Sequence, residues 1–172
     1  RPNANEVEIK IHATGLNFRD VLIAMGQYPE TAPLGCECTG EVVTLCPNVS
    51  SQGTRLKVGQ KVMAIAPHSF ARYVTLDQKL LVPIPETTTV TTAATLPVAF
   101  TTAYYSLCEL ADLKAGDRVL IHAATGGVGQ AAIQIAQQVG AKIFATASPG
   151  KWDRLREMGI IHILNSRTLS FA

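Results

Sequence analysis

Residues 118–151 read RVLIHAATGGVGQAAIQIAQQVGAKIFATASPGK. Val119, Leu120 and Ile121 form a continuous apolar run, the pattern of a strand buried on both faces. The turn Ala124–Thr125–Gly126–Gly127–Val128–Gly129 follows at once. Val128, Ala131, Ala132, Ile135, Ala136 and Val139 then recur at helical spacing. Gly140 stands where a left-handed C′ residue ends a helix, and a second apolar run extends from Ala141 to Ala147. This order of strand, glycine turn, helix and strand is what gives a Gly-rich motif the meaning of a dinucleotide-phosphate cradle.

In such a turn Gly126 brings the backbone close to a pyrophosphate and Gly129 lets the helix approach the strand. The N–H groups and dipole of the first helical turn face the phosphates. Thr125, Gly126, Gly127, Val128 and Gly129 are therefore the expected cofactor-binding residues. Ala124 replaces the first glycine of the usual pattern, so the turn must accommodate a methyl group there. The plainer alternative is a tight turn that binds nothing. It explains the glycines but not the whole strand-to-strand context.

A site for NAD usually carries Asp or Glu about 20 residues further on, at the end of the second strand, to hold the ribose 2′-hydroxyl. Here that place reads Thr146–Ala147–Ser148, and Lys151 follows. A hydroxyl and an ammonium suit a 2′-phosphate, which a carboxylate would repel. One charge-assisted hydrogen bond is worth about 1.5–3 kcal/mol, enough for a tenfold preference. Ser148 and Lys151 thus point to NADPH, although taken alone Lys151 is an ordinary surface lysine.

With 172 residues the chain can hold one domain or two small ones. Apolar residues make up 47%, enough for a core, and a net charge of +2 gives no reason to expect nucleic acid. The uncharged stretches are too short to cross a membrane. No signal-peptide pattern is present, and a start at Arg1 without Met reads as an excerpt of a longer polypeptide. Cys36, Cys38, Cys46 and Cys108 show no disulfide framework, so a reduced, cytoplasmic setting is expected.

Val7, Ile9 and Ile11 alternate with polar residues over 6–13, as in a half-buried strand. Phe18 to Met25 has helical spacing and ends at Gly26. Strands at about 39–46, 60–66 and 71–77 are divided by Pro47, Gly53, Gly59 and Pro67, which predicts a β-barrel-like domain. Pro83–Ile84–Pro85 marks a boundary, and Thr87 to Thr95 reads as a loop with a short helix. Phe100 to Leu110 has helical spacing again. After Lys151 a helix through Trp152, Leu155 and Met158 stops at Gly159, and Ile160 to Leu164 reads as a third strand. A dinucleotide fold needs two βαβαβ halves and at most one is present. The chain alone is therefore expected to be poorly stable or inactive.

The segments GLNFRDVLIAMGQYP (15–29), LGCECTGEV (34–42), GDRVLIHAATGGVGQAA (116–132), ATASPGKWDRLREMG (145–159) and NSRTLSF (165–171) together resemble the enoyl reductase domain of polyketide synthases. They are also similar to the animal-type fatty acid synthase enoyl reductase, within the medium-chain dehydrogenase/reductase superfamily. The resemblance covers essentially the whole chain. It implies an α/β chain with a GroES-like β-barrel domain (1–96) followed by the first half of a Rossmann NADP-binding domain (97–172), a truncated fragment of the fold. It further implies NADPH-dependent reduction of an enoyl thioester held on an acyl carrier protein, among neighbouring synthase domains.

The resemblance also carries residue roles. It places Asn17 and Thr102 near the nicotinamide, where the plainer roles are a helix N-cap and helix packing. It adds Arg167, from the Ser-Arg pair after the third strand, as a second candidate for the 2′-phosphate. Zinc enzymes of the superfamily carry their ligands where Asn17, Cys36 and a residue near Val98 stand. Only Cys36 has a ligating side chain, and catalytic zinc needs three protein ligands, so no metal is expected. Cys36 and Cys38 are read as small buried residues, and the four histidines show no ligand spacing. Phe18 stands where some relatives have a tyrosine proposed as proton donor, so the proton donor is unassigned. Two alternatives remain open: a free-standing quinone oxidoreductase-like reductase of small α,β-unsaturated carbonyls, and a non-catalytic structural remnant of a synthase.

Overall fold

Val7 and Ile9 are both 0% exposed in the computed structural model of this chain, which describes residues 5–28, 32–46 and 56–168. Their strand, β1 (Glu6–Thr14), lies between β2 (Glu37–Leu45) and β4 (Tyr73–Asp77). β3 (Lys61–Ile65) pairs with β2, and β5 (Leu81–Pro83) pairs with β3. The result is an antiparallel sheet of order β4–β1–β2–β3–β5. Val7, Ile9, Val42, Val62, Leu76 and Leu81 form its core, each side chain worth about 1.5–3 kcal/mol on burial. β5 occupies a stretch that the sequence marks only as a boundary. Pro83 cannot donate to a ladder, which confines it to an edge strand, and β5 is one. The expected turn residues Pro47 and Gly53 lie outside the described residues, as do Pro29 and Phe171.

Contacts divide the chain into two units, Arg1–Val98 and Ala99–Ala172. In the first, α1 (Phe18–Ala24) departs from its expected apolar packing. Phe18 and Met25 stay exposed, and the one residue of α1 that is buried is Asp20. Polar anchoring, described below, holds this helix. The Thr-rich stretch supplies α2 (Val90–Ala93), capped where Thr89 Oγ1 accepts the Thr92 N–H at 3.1 Å. α3 (Pro97–Tyr104) continues into a π-helical turn at Tyr105–Leu110.

The second unit is a βαβαβ run: β6 (Arg118–Ile121), α4 (Gly127–Val139), β7 (Lys142–Ala147), α5 (Trp152–Glu157) and β8 (His162–Asn165). The three strands are parallel in the order β6–β7–β8. Gly140 ends α4 at φ 85°, in the left-handed conformation its position predicts. Two expectations are corrected. The expected stripe of α4 holds at Ala131, Ala132 and Ala136, which are buried, and at Ile135, which packs against the core, but Gly129 and Ile133 are buried with them whereas Val128 is 44% exposed. Leu120 is 46% exposed, since Val119 and Ile121 face the core under α4 and Leu120 faces the other side of the sheet.

Candidate functional site

The glycine turn is built from β6 outward. Ala123 takes a left-handed φ of 46°, and its carbonyl accepts the Gly126 N–H at 2.8 Å. Ala124 keeps an ordinary φ, is 0% exposed, and donates its N–H to the Thr146 carbonyl of β7 at 3.0 Å. The methyl group that replaces the usual first glycine is thus buried beneath the turn, and the conformational demand falls on the residue before it. Gly126 is the N-cap of α4 with extended backbone. A Cβ on Gly129 would lie 2.6 Å from Ala124 Cα and from the Ala123 carbonyl oxygen, so no other residue fits at this approach.

The N–H groups of Gly127, Val128 and Gly129 have no protein acceptor among the described residues. They form an open row of donors at the positive end of a helix of 13 residues. Gln130, which the sequence reading passes over, folds back so that its Nε2 donates to the Thr125 carbonyl at 3.0 Å. Its signal in the sequence is weak, because a glutamine in a first turn is commonplace.

At the end of β7 the parallel register sets Ala147 opposite Asn165. The Ala147 carbonyl accepts from Trp152 Nε1 and from the Ser166 N–H, each at 3.1 Å. Ser148 follows as the cap of a 3-10 turn, Pro149–Lys151. Arg167 donates its backbone N–H to Asn165 Oδ1 at 2.9 Å. Register therefore carries Ser148 and the Ser166–Arg167 turn to the same end of the sheet. Lys151 and Arg167 are exposed, and neither has a carboxylate partner among the described residues. Nearby Arg154 and Arg156 are neutralised by Glu157 and Asp153. Thr102 is exposed on α3 beside buried Ala103.

Asn17 belongs to the first unit, where it is the N-cap of α1. Its backbone N–H donates to Asp20 Oδ2 at 2.9 Å, and Asp20 Oδ1 accepts the Gly35 N–H at 2.8 Å. The Asn17 carboxamide donates through Nδ2 to Glu37 Oε1 at 2.8 Å. Glu37 Oε2 accepts the Val98 N–H at 2.8 Å. Cys36 Sγ accepts from Arg19 Nη1 at 2.9 Å, and the Arg19 guanidinium lies 5.3 Å from the centre of the Tyr28 ring. The Cys36 sulfur holds the Arg19 guanidinium above its ordinary range. A cation seated on the sulfur is the wrong neighbour for a second, metallic one. Next in the chain, burial and then the negative charge of Glu37 push the Cys38 thiol up to about 12. All four cysteines are free thiols.

Residues 3–86 match the alcohol dehydrogenase GroES-like domain family. Over 168 residues the chain is 47% identical to the pikromycin polyketide synthase component PikAII of Streptomyces venezuelae, covering 96% of this chain and 4% of that protein. A crystal structure of CurK enoyl reductase superposes with a TM-score of 0.91 at 46% identity, covering 99% of this chain and 54% of that one. Mycobacterial Rv1454c complexed with NADPH superposes with a TM-score of 0.86 at 31% identity, over 96% of this chain and 52% of that one. The chain thus spans about half the length of the solved proteins it matches.

Proposed function

The chain belongs to the medium-chain dehydrogenase/reductase superfamily, with a GroES-like domain at residues 3–86 and polyketide synthases among its homologues, and from that membership we propose that it is part of an NADPH-dependent enoyl-thioester reductase. In this reading NADPH supplies the hydride that reduces the carbon–carbon double bond of an α,β-enoyl group carried on an acyl carrier protein. The observation that carries it is the open donor row of Gly127, Val128 and Gly129, with Lys151 and Arg167 unneutralised beyond the end of β7.

The three N–H groups hold the pyrophosphate, and the bend at Gly126 keeps side-chain bulk away from it. The Ser148 hydroxyl, the Lys151 ammonium and the Arg167 guanidinium receive the 2′-phosphate, Arg167 with a fork suited to two phosphate oxygens. Thr125 frames the turn, with its carbonyl held by Gln130. Asn17 and Thr102 serve the nicotinamide end through an amide N–H and a hydroxyl. The thioester carbonyl already makes the β-carbon electrophilic, so the protein's task is orientation and stabilisation of the enolate oxygen. No metal enters this scheme.

We place the reductase within a cytoplasmic multidomain synthase; no helix among the described residues is long and apolar enough to cross a membrane. The test is Lys151→Ala in the intact polypeptide. Its KM for NADPH rises much more than its KM for NADH, while equal effects on both remove the 2′-phosphate role.

A further inference from the structure

Glu37 is 3% exposed, and three segments of the chain, at Gly15–Asn17, Ser69 and Val98, meet on it. Its side chain accepts from Asn17 Nδ2 and from the Val98 N–H, each at 2.8 Å. Its backbone carbonyl accepts the Gly15 N–H and the Ser69 hydroxyl, each at 3.1 Å. A Cβ on Gly15 would lie 2.5 Å from Glu37 Cγ and Oε1, so the chain before Asn17 is pressed against this side chain. No Lys or Arg pairs with Glu37 among the described residues. A buried carboxylate without a cation is costly to keep, and a sheet brace does not need one. What a carboxylate does that an amide or hydroxyl does not is accept on both oxygens and donate on neither.

That restriction acts on Asn17. Its carboxamide has an acceptor side and a donor side of nearly equal shape; the capping box turns the acceptor side toward the Asp20 N–H, and a neighbour at position 37 able to do both would weaken that choice. Facing a pure acceptor, Asn17 must present Nδ2 and not Oδ1. One N–H is then held by Glu37, and the second has no protein acceptor among the described residues.

We propose that Glu37 is a positioning residue for the reductase reaction, fixing the Asn17 carboxamide so that position 17 offers an N–H donor to its ligand. This rests on the reading that Asn17 serves the nicotinamide end of the site. Glu37 itself touches neither cofactor nor substrate.

The variant Glu37→Gln keeps the volume but meets two donors with one acceptor oxygen, which removes the pure acceptor and leaves only the capping-box contact with the Asp20 N–H to hold the amide at 17. The test uses the intact polypeptide, NADPH and the N-acetylcysteamine thioester of crotonic acid. Glu37→Gln lowers kcat about tenfold or more and leaves KM for NADPH within about threefold, whereas in an Asn17→Ala background the same change alters kcat less than about twofold. An undiminished Glu37→Gln effect in the Asn17→Ala background overturns the proposal and leaves the Asn17 role standing. An unchanged kcat in Asn17→Ala alone removes the Asn17 role, and the proposal with it.

The exchange Asn17→Asp with Glu37→Gln covers the case in which the single variant folds poorly. There the new amide at position 37 donates to the new carboxylate at position 17 and its oxygen accepts from Val98. The bond between the two positions returns with its direction reversed. The Tm recovers and kcat does not. Recovery of both makes Glu37 a brace only and overturns the proposal.

Discussion

Two glycines three residues apart in the phosphate turn fail on substitution for different reasons. At Gly129 an added Cβ lies 2.6 Å from Ala124 Cα and the Ala123 carbonyl oxygen, whereas ordinary contact begins at 3.4 Å. Both obstacles are backbone, so α4 must withdraw by about 1 Å, and overpacking of this kind costs about 1–3 kcal/mol. Withdrawal also carries the Gly127–Gly129 N–H groups out of reach of a phosphate. Losing two charge-assisted bonds of about 1.5–3 kcal/mol each weakens NADPH binding by roughly a hundredfold or more. At Gly126 the added Cβ meets one atom, the Ala123 carbonyl oxygen at 3.2 Å, and the position is exposed. Its extended backbone accepts any L-residue. Gly126→Val therefore leaves the fold in place and sets an isopropyl group where the pyrophosphate would lie. In the intact polypeptide, NADPH fluorescence titration reads binding, and amide hydrogen exchange over residues 127–139 reads the integrity of α4. Gly129→Ala loses both protection and affinity; Gly126→Val loses affinity alone. Retained NADPH affinity in Gly126→Val refutes the phosphate cradle, and unchanged protection in Gly129→Ala refutes the close approach.

Lys151→Ala lowers the NADPH over NADH preference roughly tenfold, by loss of one charge-assisted contact, in parallel KM measurements. Asp20→Asn replaces a buried carboxylate that accepts the Asn17 and Gly35 N–H groups; one donor is left unpaired, and stability falls by about 1–3 kcal/mol in denaturant titration. The Cys38 thiol, raised to about 12, stays protonated at pH 8, because a raised thiol pKa favours the proton-bound form until pH approaches that value. Mass-spectrometric mapping after iodoacetamide at that pH finds Cys36 alkylated well before Cys38.

What can be read from the sequence is what local rules govern. The cradle from Ala124 to Gly129, the stop at Gly140 and the strand that follows are set by helical period, glycine geometry and chain continuity. Elsewhere the deciding partner lies far along the chain. That β4 pairs with β1 rather than with β3 follows from sheet packing that no local pattern encodes. Val128 and Ile133 lie on different sides of α4, and which of them is buried is settled by how the helix packs on its sheet. The bonding of Glu37 is invisible in the sequence because its partners, Asn17 and Val98, are distant along the chain. The sequence leaves Asn17 as either a cofactor contact or a helix N-cap. It is the N-cap, with an amide N–H still to spare.

The position of β1 inside its sheet, between β4 and β2, has a consequence for how the protein is made. Glu6 pairs with Asp77 and Lys10 with Tyr73, so the first half of one edge of β1 waits for about 70 more residues to be synthesised. At roughly 5–20 residues per second that is roughly 4–14 s on the ribosome. During this time the backbone of β1 offers unpaired donors and acceptors to any other nascent strand. Glu6, Glu8 and Lys10 occupy the alternate positions of that waiting edge, and charges so placed are what discourages mispairing. The polar half of the β1 alternation therefore guards a slow assembly as well as facing away from the core.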